Sequence, residues 1–417
     1  MRRFIQQWIK ISLISLLAVA FLGCVLRYKI AFSLTFVNQK YLLHAHSHFA
    51  FAGWITQALM ACLIGYQAKA SGQKPQNKYR ALLVANLVTA YGMLFSFTFE
   101  GYGLYSIVFS TLSIFVTWIF AVVYWRDLNR LPGASLAHRW LKMAVLLNAV
   151  SSLGAFTLAY MMATKNMHQE WYMAAVYLFL HFQYNGWFFF SCMGLLTAYL
   201  LRMGINKKRL RLIFLLFAFS CIPAYFLSIL WLQLPAWLYW PVVLAVSAQM
   251  GGFVLLITAI RPVSGEILKT LPRITVYLAA CSGIALLVKL LLQLLSAIPY
   301  LNQLVFGFRP IVIGYLHLVF LGIVTLFIMG YCIARRYIII GRRTVKGIII
   351  FTLGIIINEL LLMLQGIAAL FYISVPYINE WLLGAALCMF TGVLVTLQSQ
   401  FRLKQSPLLL QQHYLAN

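Results

Sequence analysis

The sequence is divided into twelve apolar stretches, each long enough for an α-helix to cross a bilayer, which takes about 20 residues. The predicted helices lie near 10–27, 41–66, 80–100, 103–125, 140–163, 170–201, 212–231, 236–260, 274–298, 310–334, 347–373 and 378–399. Only 9% of the residues are charged, whereas about 25% are charged in a soluble domain. The pattern therefore predicts an all-α polytopic membrane protein with a single domain, residues 1–417.

Lysine and arginine residues fall mainly on one side of the predicted helices. Of the 32 basic residues, 26 lie in the two terminal segments and in the loops that follow every second helix. The others are Arg27, Lys29, Lys40, Lys165 and Arg309 on the opposite side, and Lys289 inside the ninth predicted helix. The positive-inside rule then predicts that both termini are cytoplasmic. The net charge of +26 is explained by this topology, so we expect a lipid bilayer and no nucleic acid as the partner.

This charge pattern is typical of a multi-pass protein of the bacterial inner (cytoplasmic) membrane. We expect the first helix to be retained, because its cleavage as a signal peptide would move the new N-terminus to the outer side. The seven cysteines lie singly in apolar runs and form no CxxC pair, which argues against disulfides and thiolate metal sites.

Histidine is the most informative residue type, because ionisable groups inside a membrane are costly and usually functional. His138 and His413 are expected to be solvated, and His168 lies at the outer edge of the sixth helix. The other five lie inside predicted helices: His44, His46 and His48 in the second, His181 in the sixth and His317 in the tenth. Three imidazoles within five residues favour haem or metal ligation over simple hydrogen bonding between helices.

The predicted topology places these histidines at similar depths. With a rise of about 1.5 Å per residue, His46 lies about 9 Å, His317 about 10 Å and His181 about 16 Å below the outer helix ends. All are therefore in the outer half of the bilayer, as one shared site requires. His44 and His48 share a helix face, while His46 points about 200° away from His44. The cluster is compatible with two sites, or with one site and a supporting residue.

Twelve helices with histidines on the second, sixth and tenth resemble the catalytic subunit I of the haem–copper oxidase superfamily. His46-Ser-His48-x4-Gly53-Trp54 is similar to the opening of the second helix in the branch of nitric oxide reductase and the C-type oxidases, including its divergent stand-alone relatives. The likeness covers the whole chain in topology and three short motifs in sequence. It implies an oxidase-like helical bundle.

The resemblance also implies roles for individual residues. His46 or His48, together with His317, would bind one haem b, and His181 would bind a second metal, copper or iron. Arg309 is expected to pair with a haem propionate, and Glu359 is a candidate proton relay. Gly53, Gly314 and Gly322 are expected to leave room for the flat macrocycle.

Three positions depart from the family pattern. Tyr315 stands where complete members have a second histidine on the tenth helix, and residues 212–231 lack the usual histidine pair of the seventh. Asn185 stands where oxidases have a cross-linked tyrosine, with Tyr184 one residue earlier. Reduction of oxygen or nitric oxide would thus require a second metal site rebuilt from other ligands, such as His44.

Three functions remain open from the sequence. The first is a haem-binding redox protein with a cytochrome or quinol as electron donor and a partner membrane subunit. The second is a haem or copper transporter or chaperone, and the third is a non-catalytic structural subunit whose histidines join helices. Lys289 is expected either to extend its amine towards the membrane surface or to offset the charge of a haem propionate.

Overall fold

The computed structural model describes residues 1–133, 135–166, 168–232, 235–298, 301 and 309–402. His413 lies outside these residues. The helices are α1 Arg2–Phe32, α2 Gln39–Ser71, α3 Asn77–Glu100, α4 Leu104–Asn129, α5 Leu136–Ala163, α6 169–202, α7 207–229, α8 Ala236–Thr270, α9 Arg273–Ser296, α10 Arg309–Ala334, α11 Arg342–Leu370 and α12 Ile378–Arg402. The described part of the chain contains no β-strand.

The helices have the length and composition of membrane spans. Among the described residues, ten are long and apolar enough to cross a membrane, and the count is eleven if the bent pair Lys207–Cys221 and Pro223–Ile229 is one span. One predicted span, at 170–201, corresponds to α6 and is not among these eleven helices. Polar residues such as Gln183 and Asn185 lie in the middle of α6 and lower its hydropathy.

Several helices extend beyond their apolar cores. α1 begins at Arg2 rather than near residue 10 and ends at Phe32 rather than near residue 27, so Arg27 lies inside the helix and not at its end. α11 begins at Arg342, five residues before the predicted start at 347. Charged residues at helix ends keep their backbone hydrogen bonds while their side chains reach the polar interface.

Short polar residues and glycine define the turns. The Asn38 side chain accepts hydrogen bonds from the backbone N–H groups of Lys40 and Tyr41, at 3.0 and 3.2 Å, and so caps the start of α2. Gly101 ends α3 with φ +64°, a conformation that L-residues with a Cβ rarely adopt. A Cβ at Gly101 would also lie 2.4 Å from the Tyr41 ring. This turn therefore packs directly against the start of α2.

The helices form a closed ring. Each helix contacts the next along the chain, and α12 closes the ring against α1. In addition, α2, α6 and α10 contact one another, and α5 contacts α7. In the most apolar stretch of α2, 89% of residues are buried, compared with 11% in α4. α2 is therefore a central helix and α4 a lipid-facing one. The contacts of α2 with α6 and α10 bring the three histidine-bearing helices together at the centre.

Candidate functional site

Each of the three central helices contains a π-helical turn. These turns are Ala50–Thr56 in α2, Phe182–Phe188 in α6 and Leu318–Thr325 in α10, and the described residues contain no others. They begin within two residues of His48, His181 and His317. π-helical turns are rare and occur frequently at functional sites. The local backbone is thus distorted at the three positions where the sequence places histidines.

The three π-helical turns contact one another at the centre of the ring. Phe51 of α2 lies 4.6 Å from Phe320 of α10 and 5.5 Å from Phe188 of α6, measured between ring centroids. The Trp54 indole donates a 2.9 Å hydrogen bond to Thr325 Oγ1.

A second indole makes the matching contact, since Trp187 Nε1 donates to Thr56 Oγ1 at 3.3 Å. Both indole–hydroxyl bonds are buried and join different helices. Aromatic packing and these bonds therefore fix the relative positions of α2, α6 and α10.

The sequence contains a signal for this arrangement that the motif analysis missed. His48, His181 and His317 are each followed after four residues by glycine, at Gly53, Gly186 and Gly322. In the first two cases tryptophan comes next. The three turns occur on every fourth helix, so a repeated His-x4-Gly spacing marks the three π-helical turns along the chain.

His46 lies on the face of α2 that packs against α1. Its Nδ1 atom is 3.1 Å from the carbonyl oxygen of Val19, and because a carbonyl only accepts, Nδ1 must donate. Nε2 therefore carries the lone pair, and it has no hydrogen-bond partner among the described residues. Gly23 of α1 lies beside the ring, where a Cβ would be 3.5 Å from His46 Cε1.

His317 has the same arrangement on α10. Its Nδ1 donates to the carbonyl oxygen of Ile313 at 2.8 Å, which again leaves the Nε2 lone pair without a partner in the described part of the chain. His46 and His317 are close enough to interact electrostatically, and Arg27 interacts with both. Protein surrounds both rings, yet each keeps part of its surface uncovered.

This donor set fits a haem with two axial imidazoles. Haem-ligating histidines commonly donate one ring N–H to a backbone carbonyl and ligate through the other nitrogen. His46 and His317 both do so, from different helices, and Gly23 leaves space beside the first ring. The residues that would hold a haem are therefore present with the appropriate tautomer.

The arginine that interacts electrostatically with this histidine pair is Arg27, and not the predicted Arg309. Arg27 of α1 interacts electrostatically with Glu359 of α11 as well as with the two histidines. Glu359 Oε1 also accepts a 3.0 Å hydrogen bond from Asn358 Nδ2. Arg309 is exposed at the first turn of α10, eight residues and about 12 Å along the helix from His317. The structure thus places Arg27, which was predicted at the outer end of the first helix, close enough to interact electrostatically with the histidine pair.

His44 and His48 lie on the other face of α2. His48 Nε2 is 3.1 Å from the Tyr102 hydroxyl, and the His48 ring stacks on Phe97 with a centroid distance of 4.3 Å. The His44 ring lies 4.6 Å from the Tyr102 ring, and its buried Nε2 has no hydrogen-bond partner. These two histidines therefore face α3 and its following turn, and only His46 is directed towards His317.

His181 is buried between α6 and α7 with both ring nitrogens occupied. Nε2 donates to the Cys221 carbonyl at 2.8 Å, and Nδ1 accepts from Asn185 Nδ2 at 3.1 Å. Pro223 lacks an N–H and ends the regular helix of α7 near Cys221, where terminal carbonyls need other donors. His181 supplies such a donor, so its observed contacts join α6 to the bend of α7.

The three predicted glycines are used for packing between side chains and helices. A Cβ at Gly53 would lie 2.5 Å from the Phe49 ring, one at Gly314 would lie 3.4 Å from Leu362, and one at Gly322 would lie 3.1 Å from Ala285. Side chains of the protein therefore lie beside these glycines, where the prediction placed a macrocycle. Gly23 is the glycine beside the histidine pair.

The donor set around His181 does not fit a second metal. Its nitrogens are committed, and the described residues contain no group of three His, Cys, Asp or Glu side chains arranged to hold a metal ion. His44 cannot complete such a group with His181, because it packs against Tyr102 on the other side of α2. Lys289 interacts electrostatically with His181 and Cys221 and is directed to this region, not to the membrane surface.

The fold is similar to that of a haem–copper terminal oxidase whose dimer was solved by cryo-electron microscopy. The match has a TM-score of 0.70 and 12% sequence identity, and it covers 97% of this chain and 84% of the oxidase chain. No protein-family model and no curated protein matches the sequence. The predicted all-α membrane bundle is confirmed, and the likeness to this oxidase is one of fold. This chain is a multi-pass membrane protein with the fold of a haem–copper terminal oxidase.

Proposed function

We propose that this protein is a membrane redox protein that binds one haem b between α2 and α10, and that His46 and His317 would hold its iron. One observation carries the proposal: both imidazoles donate Nδ1–H to a backbone carbonyl and keep the Nε2 lone pair free. The oxidase-like fold supports it, because the two histidines lie on the helices that the resemblance assigns to haem ligation.

Contacts elsewhere in the bundle argue against a purely structural role for this pair. Polar side chains that join helices bond directly across the gap, as Trp54 does to Thr325 and Gln183 to Asn148. His317 instead bonds to a carbonyl of its own helix, so its ring contributes no hydrogen bond between helices. His46 joins α2 to α1 through Nδ1 alone. The Nε2 atoms of both residues are unpaired and not fully covered by protein, so a ligand can reach them.

A bound haem would supply reversible one-electron chemistry at its iron. The protein residues would set its orientation and potential: the Val19 and Ile313 carbonyls hold the two imidazoles, and Arg27 places a positive charge near both. Glu359 is a candidate proton relay because it faces Arg27 from α11.

The electron donor would be a cytochrome or a quinol. A soluble cytochrome donor would be a separate chain, because this chain has no CxxCH motif for a covalently attached haem c. The excess of basic residues on one side supports placement in the bacterial inner membrane with both termini in the cytoplasm. A partner membrane subunit would then connect the donor to the haem.

The test is an optical spectrum of the purified protein, oxidised and dithionite-reduced, with haem and metal analysis of the same sample. We expect a low-spin spectrum with sharp reduced α and β bands and one haem per chain. A haem that stays bound during prolonged incubation with excess apomyoglobin would support the redox protein, whereas rapid transfer would support a haem carrier. A colourless protein that does not take up added haemin would refute haem binding.

A further inference from the structure

Two histidines near the start of α2 take no part in the proposed haem site. His44 and His48 are four residues apart, so they lie on one face of the helix with their Cβ atoms about 5–6 Å apart. This face packs against the end of α3 and the turn that follows it. His46 lies on the other face, where its Nδ1 bonds to Val19 of α1. The pair is therefore available for a role of its own.

The His44 ring has a nitrogen without a hydrogen bond. Its Nε2 atom is buried, and none of the described residues bonds to it. Buried polar atoms are nearly always hydrogen-bonded, and an unpaired one calls for an explanation such as a bound water molecule or ion. Neutral imidazole is also a common ligand of transition metals. This atom is therefore a candidate metal ligand that the protein does not use for its own contacts.

Tyr102 brings a third polar atom to the histidine pair. Its hydroxyl oxygen is 3.1 Å from His48 Nε2, and its ring centroid is 4.6 Å from that of His44. Metal–ligand bonds of about 2.0–2.1 Å, in square or tetrahedral arrangements, separate two ligand atoms by roughly 2.8–3.4 Å. The separation of His48 Nε2 from the Tyr102 oxygen falls in this range. A metal ion can therefore replace this hydrogen bond with the two atoms at nearly the same separation.

The surroundings hold these side chains in place and leave one side open. The His48 ring stacks on Phe97 at 4.3 Å, and the Tyr102 ring lies edge-on to Phe97 at 5.1 Å, measured between ring centroids. Tyr102 is 43% exposed. Lys40 interacts electrostatically with His44, but its side chain is exposed, where the effect of its charge is small. Packing thus fixes the rings, and an ion can reach them from outside the bundle.

We propose that His44, His48 and Tyr102 bind one divalent transition-metal ion, of the copper(II) or zinc(II) class. The two imidazoles supply the main ligands, the tyrosine oxygen supplies a weaker third, and water fills the remaining positions. Copper(II) should bind more tightly than zinc(II), as it does at nitrogen and oxygen sites in general. The described residues contain no metal-binding group of three His, Cys, Asp or Glu side chains, and this site needs only two because tyrosine is the third. It is separate from the haem site and does not depend on it.

The experiment is titration of the purified, tag-free, full-length protein in detergent with copper(II). Bound copper is measured by metal analysis after removal of free copper, and its ligands by electron paramagnetic resonance. We expect one tightly bound copper(II) per chain, with hyperfine coupling to two imidazole nitrogens. His44→Phe and His48→Phe should each weaken binding at least tenfold, and Tyr102→Phe should weaken it less. His168→Phe is the matched control, because His168 is an exposed histidine at the start of α6, and it should bind copper as the wild type does.

Wild-type protein that binds no stoichiometric copper(II) would overturn the proposal. Equal affinity in the wild type, His44→Phe and His48→Phe would also overturn it, because the copper would then lie at other residues. Both variants should fold, since phenylalanine keeps a ring to pack on Tyr102 and Phe97. If they do not, the resonance spectrum of the wild type decides the question, and bound copper without nitrogen coupling counts against the site.

Discussion

Two histidine sites in the same bundle differ in what their ring nitrogens contact. At the α2–α10 site, His46 and His317 each use Nδ1 on a backbone carbonyl and leave Nε2 free. At the α6–α7 site, His181 donates from Nε2 to Cys221 and accepts at Nδ1 from Asn185. The residue type and the adjacent π-helical turn are the same. The carbonyl that each ring bonds to, on a neighbouring helix for His46 and His181 and on its own helix for His317, decides which nitrogen donates.

The difference follows from the backbone near each ring. α7 bends at Pro223 and exposes the Cys221 carbonyl towards His181, so that histidine is used to satisfy the backbone. α1 passes His46 as an unbroken helix with Gly23 beside the ring, so the imidazole has space next to it. The bend of α7 therefore gives His181 a structural hydrogen bond, and the straight helix α1 with Gly23 leaves space beside the His46 ring.

The largest expected effect is loss of haem from the α2–α10 site. His46→Ala and His317→Ala each remove one axial ligand, so we expect purified protein with little or no bound haem, measured by the Soret absorbance per chain. His181→Ala should keep its haem. Equal haem loss in all three variants would erase the distinction between the two sites.

Replacing a ligand by a different ligand sharpens the same comparison. In His317→Met the thioether can still bind iron, and histidine–methionine ligation raises the reduction potential. We expect retained haem with a higher midpoint potential, measured by redox titration of the α band. A potential identical to that of the wild type would indicate that His317 does not ligate the haem.

The second effect is a loss of stability at the α6–α7 site without loss of haem. His181→Leu removes the donor to the Cys221 carbonyl and leaves that buried acceptor unpaired, at a cost of about 1–3 kcal/mol. We expect a lower thermal unfolding midpoint with an unchanged reduced spectrum. Loss of a stoichiometric copper or iron in this variant would instead support the predicted second-metal role of His181.

A smaller effect is expected on the potential of the haem. Arg27→Gln removes a positive charge that interacts with both His46 and His317. Because the oxidised haem carries one more positive charge than the reduced form, we expect the midpoint potential to fall. The expected fall in midpoint potential corresponds to roughly 1 kcal/mol, or about 40 mV for a one-electron couple. Arg309→Gln is the control and should leave the potential unchanged, since Arg309 is exposed.

The smallest effects are expected at the outer face of α2. His44→Phe replaces a ring whose Nε2 is already unpaired, and His48→Phe keeps a ring to stack on Phe97. We expect haem content and spectrum to match the wild type, with the free energy of unfolding changed by less than about 1 kcal/mol. If His48→Phe loses haem while His46→Ala keeps it, the ligand assignment on α2 must be reversed.

Much of the architecture could be predicted from the sequence. The apolar stretches located the helices of the described residues, ten or eleven of which are long and apolar enough to cross a membrane. The histidine-bearing helices α2, α6 and α10 contact one another, as a shared site requires. Helix ends such as Arg2 and Phe32 were missed, because charged residues lie within α1 beyond its apolar core. Arg27 was placed at the outer end of the first helix for the same reason, and its electrostatic interaction with Glu359 was not visible.

The sequence by itself determined that the chain forms membrane-spanning helices and which histidines are candidate ligands, because hydropathy and residue type are local properties. The tertiary structure alone decided whether a ring nitrogen is free at His46 and at His181, because that depends on carbonyls from distant segments, Val19 and Cys221. It also decided that His46, and not His48, interacts electrostatically with His317, since the rotation of α2 is set by the contacts of Trp54 and Thr56 with α10 and α6. Composition predicts that a helix forms, and packing against its neighbours fixes its orientation.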